Sequence, residues 1–444
     1  MYLLYSLATL AAFVVVSPYF VYQAIRYKKY IGSLRQRLGF LPITFNLDGE
    51  ESVWIHAVSV GETLTARALA ADLKALYPRL RLFLSTTTIA GQQVARQHLQ
   101  LFDGVFYFPF DWTLTVRRTL DLVKPRLFIM METEIWPNLL RCCRQRGIKT
   151  IVINGRISSR SYPRYRLVRP FFRRVLADVD RFCMQSDESA RRLIDLGAEP
   201  AHVTVTGSLK FDSLQLPGAS SHGKPRQRVL RYFRMAPHRQ VVVAGSTMRG
   251  EEAAVLRAFK RVKASSAGAL AILAPRHPER FGEVARLARE AGFVTVRRSE
   301  LPIDAEPRAD VVVLDSIGEL AQIYQVATAV FVGGSLADHG GHNILEPAIF
   351  GKPIIFGPYM RNFKEIAAAF VANGAAVQVQ SDRDLENELL ALLTDPVRRA
   401  RLGAAARALV EANRGAKDRT LAVIAEIAPP ASARPVVRPF RRVR

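Results

Sequence analysis

From residue 52 onward, short apolar runs alternate with amphipathic stretches of helical length. The runs at 52–58, 81–86, 105–109, 126–131, 150–154, 181–185 and 203–205 predict strands. Helical spacing predicts helices over 61–77, 90–99, 114–123 and 136–146, with Pro78 just beyond the first and Gly147 stopping the last. A second series places strands at 240–244, 270–274, 294–297, 311–314, 329–332, 353–356 and 376–379. Helices are expected around 251–265, 279–290, 319–324, 364–371, 382–393 and 397–412. The stretch 216–223, LPGASSHG, is rich in turn formers and lacks periodicity, which suits a linker. Two series of strand–helix units predict two parallel α/β domains, with ligands outside the carboxyl ends of the strands. The expected division is 1–25, 26–215, a linker at 216–225, 226–428 and a basic, proline-rich tail at 429–444.

The first 25 residues carry no charged side chain, enough helix to cross a bilayer core of roughly 30 Å. Arg26, Lys28, Lys29, Arg35 and Arg37 follow, which predicts a membrane anchor with the rest of the chain on the cytoplasmic side. A cleaved signal would carry its basic residues before the apolar run and a small-residue cleavage site after it. An interfacial segment is the other alternative. Lys and Arg outnumber Asp and Glu by 63 to 39, a net charge of +24 that favours an acidic partner. Arg156, Arg160, Arg164, Arg166, Arg169, Arg173 and Arg174 are interleaved with Tyr162, Tyr165, Phe171 and Phe172. Behind an apolar segment this run suits anionic lipid headgroups or a phosphorylated lipid better than nucleic acid, for which no stacking module is recognisable; a merely solvated face is the alternative. Cys142, Cys143 and Cys183 form no metal pattern and fit a reducing compartment. Asp178 and Asp180 read as a helix end, so no metal and no cofactor is expected.

The chemistry-bearing segments all follow strands. In 333–346, GGSLADHGGHNILE, a strand, a glycine-rich turn and a helix start offer backbone N–H groups to an anion. Glu346 stands where a carboxylate can accept from ribose hydroxyls; glycines serving packing alone are the alternative. Glu62, in S-V-G-E after the first strand, is either a general base or a complement to the positive helix end. In E-T-E-I-W-P-N, Glu132 and Glu134 would point to opposite sides of an extended chain, so one faces the ligand, and Glu132 is favoured. Lys210 in G-S-L-K-F-D either meets charge on a departing phosphate or is an exposed hinge lysine. Arg276, after Pro275 in A-P-R-H-P, is placed to grip a phosphate. The turns at 245–247 and 316–319 add further anion-friendly starts.

Taken together, S-V-G-E at 59–62, E-T-E-I-W-P-N at 132–138, G-S-L-K-F-D at 207–212, P-R-H-P at 275–278, G-E-L at 318–320 and G-G-H-N-I-L-E at 340–346 resemble the Kdo transferase family. Those enzymes move 3-deoxy-D-manno-oct-2-ulosonic acid (Kdo) from CMP-Kdo onto the lipid A precursor. The resemblance runs in order from the apolar helix to about residue 420. It implies a GT-B glycosyltransferase: two Rossmann-like doubly wound domains facing a cleft, acceptor recognition in the first and nucleotide binding in the second. By motif position, Glu62 corresponds to the general base, and Glu132 and Lys210 to residues supporting the transition state. Pro275 and Arg276, the stretch Ile317, Gly318 and Glu319, and the stretch Asn343, Ile344, Leu345 and Glu346 correspond to CMP contacts. Ile344 replaces a proline of many relatives. The implied partners are CMP-Kdo, a phosphorylated lipid A precursor (lipid IVA) and an anionic membrane surface, at the cytoplasmic face of the bacterial inner membrane. The implied transfer inverts the anomeric carbon. A nucleotide-sugar epimerase of the same architecture and a non-catalytic lipid-binding adaptor are the rival readings.

Overall fold

The computed structural model describes residues 1–27, 31–212, 231–233, 236 and 239–430. The expected linker at 216–225, Lys28, Lys29 and most of the expected tail lie outside them. The chain divides into two compact units, Met1–Ser213 with Arg414–Arg444, and Leu214–Asn413.

The first unit is built on β1 (Ser52–His56), β2 (Arg81–Thr86), β3 (Gly104–Tyr107), β4 (Pro125–Met131), β5 (Lys149–Gly155), β6 (Arg181–Met184) and β7 (Val203–Val205). They form one parallel sheet in the order β3-β2-β1-β4-β5-β6-β7. Alternate residues of the central strands feed two cores. Trp54, Phe83 and Phe128 enter one cluster; Val53, Ile55, Leu82, Leu84, Leu127 and Ile129 enter the other. Burial on both faces is why these strands are continuous apolar runs, and helices must cover each side. Because every strand is parallel, Glu62, Glu132 and Lys210, which follow β1, β4 and β7, all leave the same edge of the sheet.

The C-terminal helix Ala416–Ile427 departs from the expected division, which placed residues through 428 in the second domain. Ala416, Ile424 and Ala428 bury in the cluster of Val53 and Ile55. Asp212 accepts from the backbone N–H groups of Gly415 and Lys417 at 2.8 and 2.6 Å, and Tyr77 Oη donates to the Ala428 carbonyl. No helix is expected beyond residue 412 from the sequence, so both this element and its place in the first unit are findings of the structure.

The N-terminal helix runs Tyr2–Tyr27, with 2–19 long and apolar enough to cross a membrane. One side of it is docked. Tyr2 Oη donates to Asp178 at 2.6 Å, Asn138 Nδ2 donates to Ser6 Oγ at 2.9 Å, and Phe13 packs edge-on to Phe110 and Trp112. Leu3, Leu4, Val14 and Val15 on this helix stay exposed.

The second unit holds β8 (Val241–Thr247), β9 (Leu270–Pro275), β10 (Thr295–Arg297), β11 (Val311–Val313), β12 (Ala329–Val332), β13 (Ile354–Phe356) and β14 (Val377–Gln378). Its parallel order, β10-β11-β9-β8-β12-β13-β14, repeats the doubly wound plan. Phe259, Phe331, Leu389 and Leu392 join the buried cluster beneath the helices Glu252–Ser265 and Asp382–Thr394.

Candidate active site

Ser59 caps the helix Val60–Leu76, and this places Glu62 in the first turn, directly after β1. The Glu62 carboxylate accepts from the Val58 N–H and from Ser59 Oγ, both at 2.8 Å. Its side chain is buried, and burial raises its pKa; the Val58 bond opposes this and the charge of Glu132 adds to it. Glu62 thus completes the helix start and still holds a carboxylate whose basicity exceeds that of a free one, the condition for general-base work near neutral pH.

Both acids of the E-T-E segment act on this spot. Glu134 is raised to about 7, first by burial, then by the charge of Glu62, with Trp136 opposing and Glu132 adding. The expectation that only one of the pair could face the site assumed an extended chain. Instead Glu132 takes φ +55°, leaving β4 with a left-handed step while its N–H still bonds the Ile153 carbonyl at 2.9 Å. That step ends the strand alternation, so Glu134, the less favoured of the two, joins Glu62 and Glu132.

Behind Glu134 lies His56, the last residue of β1. Its ring is fully buried, stacked on Phe108 with centroids 3.8 Å apart, and Nδ1 faces the Ser85 carbonyl and hydroxyl at 3.2 and 3.0 Å. Burial lowers its pKa to about 3, so the ring is neutral. With the Nδ1 proton given to the Ser85 carbonyl, Nε2 carries a lone pair, 4.0 Å from Glu134 Oε2. Nε2 finds no hydrogen-bond partner among the described residues. A protonated Glu134 is the group that can supply one.

Lys210 is half-buried in the turn after β7. That turn is tied back toward the middle of the sheet: the Leu209 N–H donates to Asn154 Oδ1 at 3.0 Å, and buried Asn154 sits at φ +54° in β5.

In the second unit, Arg276 is exposed just past Pro275, the last residue of β9, with its N–H on the Thr247 carbonyl at 3.0 Å. Its charge reaches Glu346 and His342. Burial raises Glu346, while a 3.2 Å hydrogen bond from Asn343 Nδ2 and the charge of Arg276 hold it down. Burial lowers His342 to about 4, and the charges of Arg276, His277 and His339 push the same way. The His342 ring covers Gly334, where an added Cβ would lie 2.7 Å from it. Tyr324 Oη likewise lies over Gly245, 2.0 Å from where a Cβ would be. His342 and Tyr324 were not singled out from sequence. Both are recognisable only as what the glycines make room for.

Three expectations change here. Ile344 and Leu345 are fully buried, so contacts from this pair to a ligand would run through backbone alone. Glu319 is engaged by Arg298 at 2.7 Å and by the Ser316 hydroxyl, while Ile317 is 83 % exposed beside Gly318 at φ +86°. The third concerns the glycine-rich turn after β12. The N–H groups of Gly334, Ser335, Leu336 and Ala337 do converge on an anion, but it is the fully buried carboxylate of Glu251, at 2.7 to 3.3 Å. The Met248 N–H adds a fifth donor at 2.9 Å. The nest expected to receive an anion therefore already holds a carboxylate of the protein.

The family model described as 3-deoxy-D-manno-octulosonic-acid transferase matches residues 32–213, and that for glycosyl transferases group 1 matches residues 298–409. The 3-deoxy-D-manno-octulosonic acid transferase of Haemophilus influenzae is 34% identical over 405 residues, covering 90% of this chain and 92% of its own. The crystal structure of the C-terminal CMP-Kdo binding domain of WaaA from Acinetobacter baumannii is 33% identical. It covers 42% of this chain and 97% of that one, with a TM-score of 0.39. The UDP-GlcNAc 2-epimerase of Neisseria meningitidis is 12% identical at a TM-score of 0.55, covering 85% of this chain and 100% of that one, a likeness of fold alone. Two parallel Rossmann-like units with these matches make the architecture GT-B, and the chain belongs to the 3-deoxy-D-manno-octulosonic acid transferase family of glycosyltransferases.

Proposed function

We propose that the chain is an inverting glycosyltransferase that moves Kdo from CMP-Kdo to a phosphorylated lipid A precursor, lipid IVA, at the cytoplasmic face of the bacterial inner membrane. The observation that carries this reading is the carboxylate group after β1 and β4, with Glu62 held by Val58 and Ser59 and backed by Glu132 and Glu134. A sugar hydroxyl is a poor nucleophile, and Glu62 takes its proton as the oxygen bonds to the anomeric carbon of Kdo. The bond from that carbon to the cytidylate phosphate breaks on the opposite face, which inverts the centre. Glu134, protonated, keeps a further negative charge away from two anionic substrates. Glu132 supports the transition state by holding Glu62 basic.

The first unit takes the acceptor and the second the donor in this reading. Arg276 and Lys210 meet the charge of the departing phosphate. Asn343 and Glu346 take the ribose, and exposed Ile317 offers an apolar contact to the base. The Glu251 nest fixes the turn that carries His342 and Asn343. The apolar helix Tyr2–Tyr27 and the exposed arginines at 164, 166, 169, 173 and 174 bring the enzyme to an anionic membrane surface.

The test is incubation of purified enzyme with CMP-Kdo and lipid IVA, followed by mass analysis of the glycolipid. Glu62→Gln should cut turnover by about 10²–10⁴ while the far-ultraviolet circular dichroism is unchanged. An epimerase would form no glycolipid, and an adaptor would leave Glu62→Gln without effect; either result rejects the proposal.

A further inference from the structure

A groove of about 470 Å³ runs between the N-terminal helix and the helices Thr113–Val123 and Pro137–Gln145. The carboxylate site after β1 and β4 does not use it, and none of its lining residues belongs to that site. Its two sides differ in chemistry. Leu3, Leu7 and Leu10, at helical spacing on Tyr2–Tyr27, form one wall with Trp112, and the three leucines are 71, 53 and 46 % exposed. Arg117 and Arg141, from the other two helices, are exposed at the groove.

Among the described residues neither arginine forms an ion pair. Arg141 lies over the Tyr2 ring at 4.5 Å, which fixes its plane but leaves its N–H edge available. Arg117 reaches the weak acceptor Cys142. The nearby carboxylates are otherwise committed. Asp111 accepts from the Asn138 and Leu139 N–H groups, Asp178 from Tyr2 and Arg144, and Asp121 from Arg146. Two guanidinium groups without a counter-ion face a strip of exposed leucine. Water satisfies the first and not the second; an acyl chain does the reverse.

We propose that this groove holds one anionic phospholipid drawn from the bilayer, its phosphate between Arg117 and Arg141 and an acyl chain along Leu3, Leu7 and Leu10. Charge complementarity selects an anionic headgroup. The leucine wall is continuous with the exposed apolar side of the same helix, so the lipid enters laterally. This occupant is distinct from the acceptor, which must bring a hydroxyl to Glu62. The bound lipid pins the N-terminal helix to the globular unit and sets how that unit stands on the membrane. The inference rests on the membrane association proposed above, not on the reaction.

The experiment uses the full chain reconstituted in nanodiscs of equal parts phosphatidylglycerol and phosphatidylethanolamine, released into mild detergent and weighed by native mass spectrometry. One phosphatidylglycerol should stay with each parent chain. Arg117→Gln/Arg141→Gln should lower its retention at least about tenfold, the loss of one charged hydrogen bond or more. Arg164→Gln/Arg166→Gln/Arg173→Gln should leave retention unchanged, since those residues serve the bulk surface. Leu7→Trp fills the groove with both arginines intact and should also expel the lipid, which covers the case of a double variant that does not fold. Retention that ignores the headgroup, survives both groove variants, or is replaced by added lipid IVA would overturn the proposal. Lipid retention does not depend on turnover, so this result and the glycolipid assay fail independently.

Discussion

Glu134→Gln isolates the electrostatics of the carboxylate group, because glutamine keeps the shape of the protonated acid and cannot ionise. The folded chain holds the Glu134 pKa at about 7 against 4.5 for a free glutamate, with burial the leading cause. A carboxyl raised in this way contributes stability in full below pH 4.5 and loses it as the pH climbs through about 7. Its side chain is only 25 % exposed, so solvent screening does little to reduce the effect. At about 1.4 kcal/mol per pH unit, ionised Glu134 costs the native state about 3 kcal/mol above neutrality. The glutamine variant escapes that cost. At roughly 2–4 °C per kcal/mol, its Tm should rise relative to the parent by roughly 5–10 °C between pH 5 and pH 8.5, then level off. Differential scanning fluorimetry of both proteins across that range reads the difference, in which every other titrating group cancels. Parallel curves would mean that Glu134 ionises like a surface carboxylate, and its role as the uncharged partner of Glu62 would be wrong. The same variant should lack the alkaline fall in kcat/KM that ionisation of Glu134 imposes on two anionic substrates.

Glu132→Gln removes a charge that raises Glu62, so the acid limb of the pH–rate profile should move to lower pH; a limb that stays put or moves up refutes the coupling. Arg276→Gln should raise KM for the donor by roughly 10- to 100-fold with a smaller change in kcat, as for a charged hydrogen bond of about 1.5–3 kcal/mol. Donor titrations in steady state measure it, and an unchanged KM would remove Arg276 from the phosphate. Glu251→Gln turns an amide NH₂ toward backbone donors that now converge on a carboxylate, and should destabilise the second unit by about 2–4 kcal/mol in denaturant unfolding. A change under about 0.5 kcal/mol, the range of an ordinary surface substitution, would mean that water replaces the carboxylate.

What the sequence disclosed and what it withheld divide along the range of the forces involved. Strands buried on both faces must be short apolar runs, so their positions were readable within two residues, except that β8 runs three residues further, to Thr247, and the parallel plan followed from the helices between them. Glu62 and Glu132 were readable because a parallel sheet sends every strand end to one edge. Glu134 was not, since its place depends on a single left-handed residue before it, and glutamate gives no composition signal for φ +55°. The helix Ala416–Ile427 was not among the helices expected from the sequence, and its place in the first unit was hidden as well, because its partners Val53, Tyr77 and Asp212 are far away in the chain.

The turn after β12 shows the same limit in reverse, for there the local reading was correct and only the occupant of the nest was missed. Glycines at 333 and 334 do free backbone N–H groups to converge on an anion, as strand-to-helix turns do where they bind phosphate. The occupant, Glu251, enters from more than 80 positions upstream, and no spacing rule connects the two. A fully buried carboxylate with five N–H donors and no ion pair among the described residues is stable only if that nest stays closed to other anions. In the proposed reaction the nucleotide phosphate is then met elsewhere, and the proposal assigns it to Arg276, which is exposed and within electrostatic reach of Glu346 and His342.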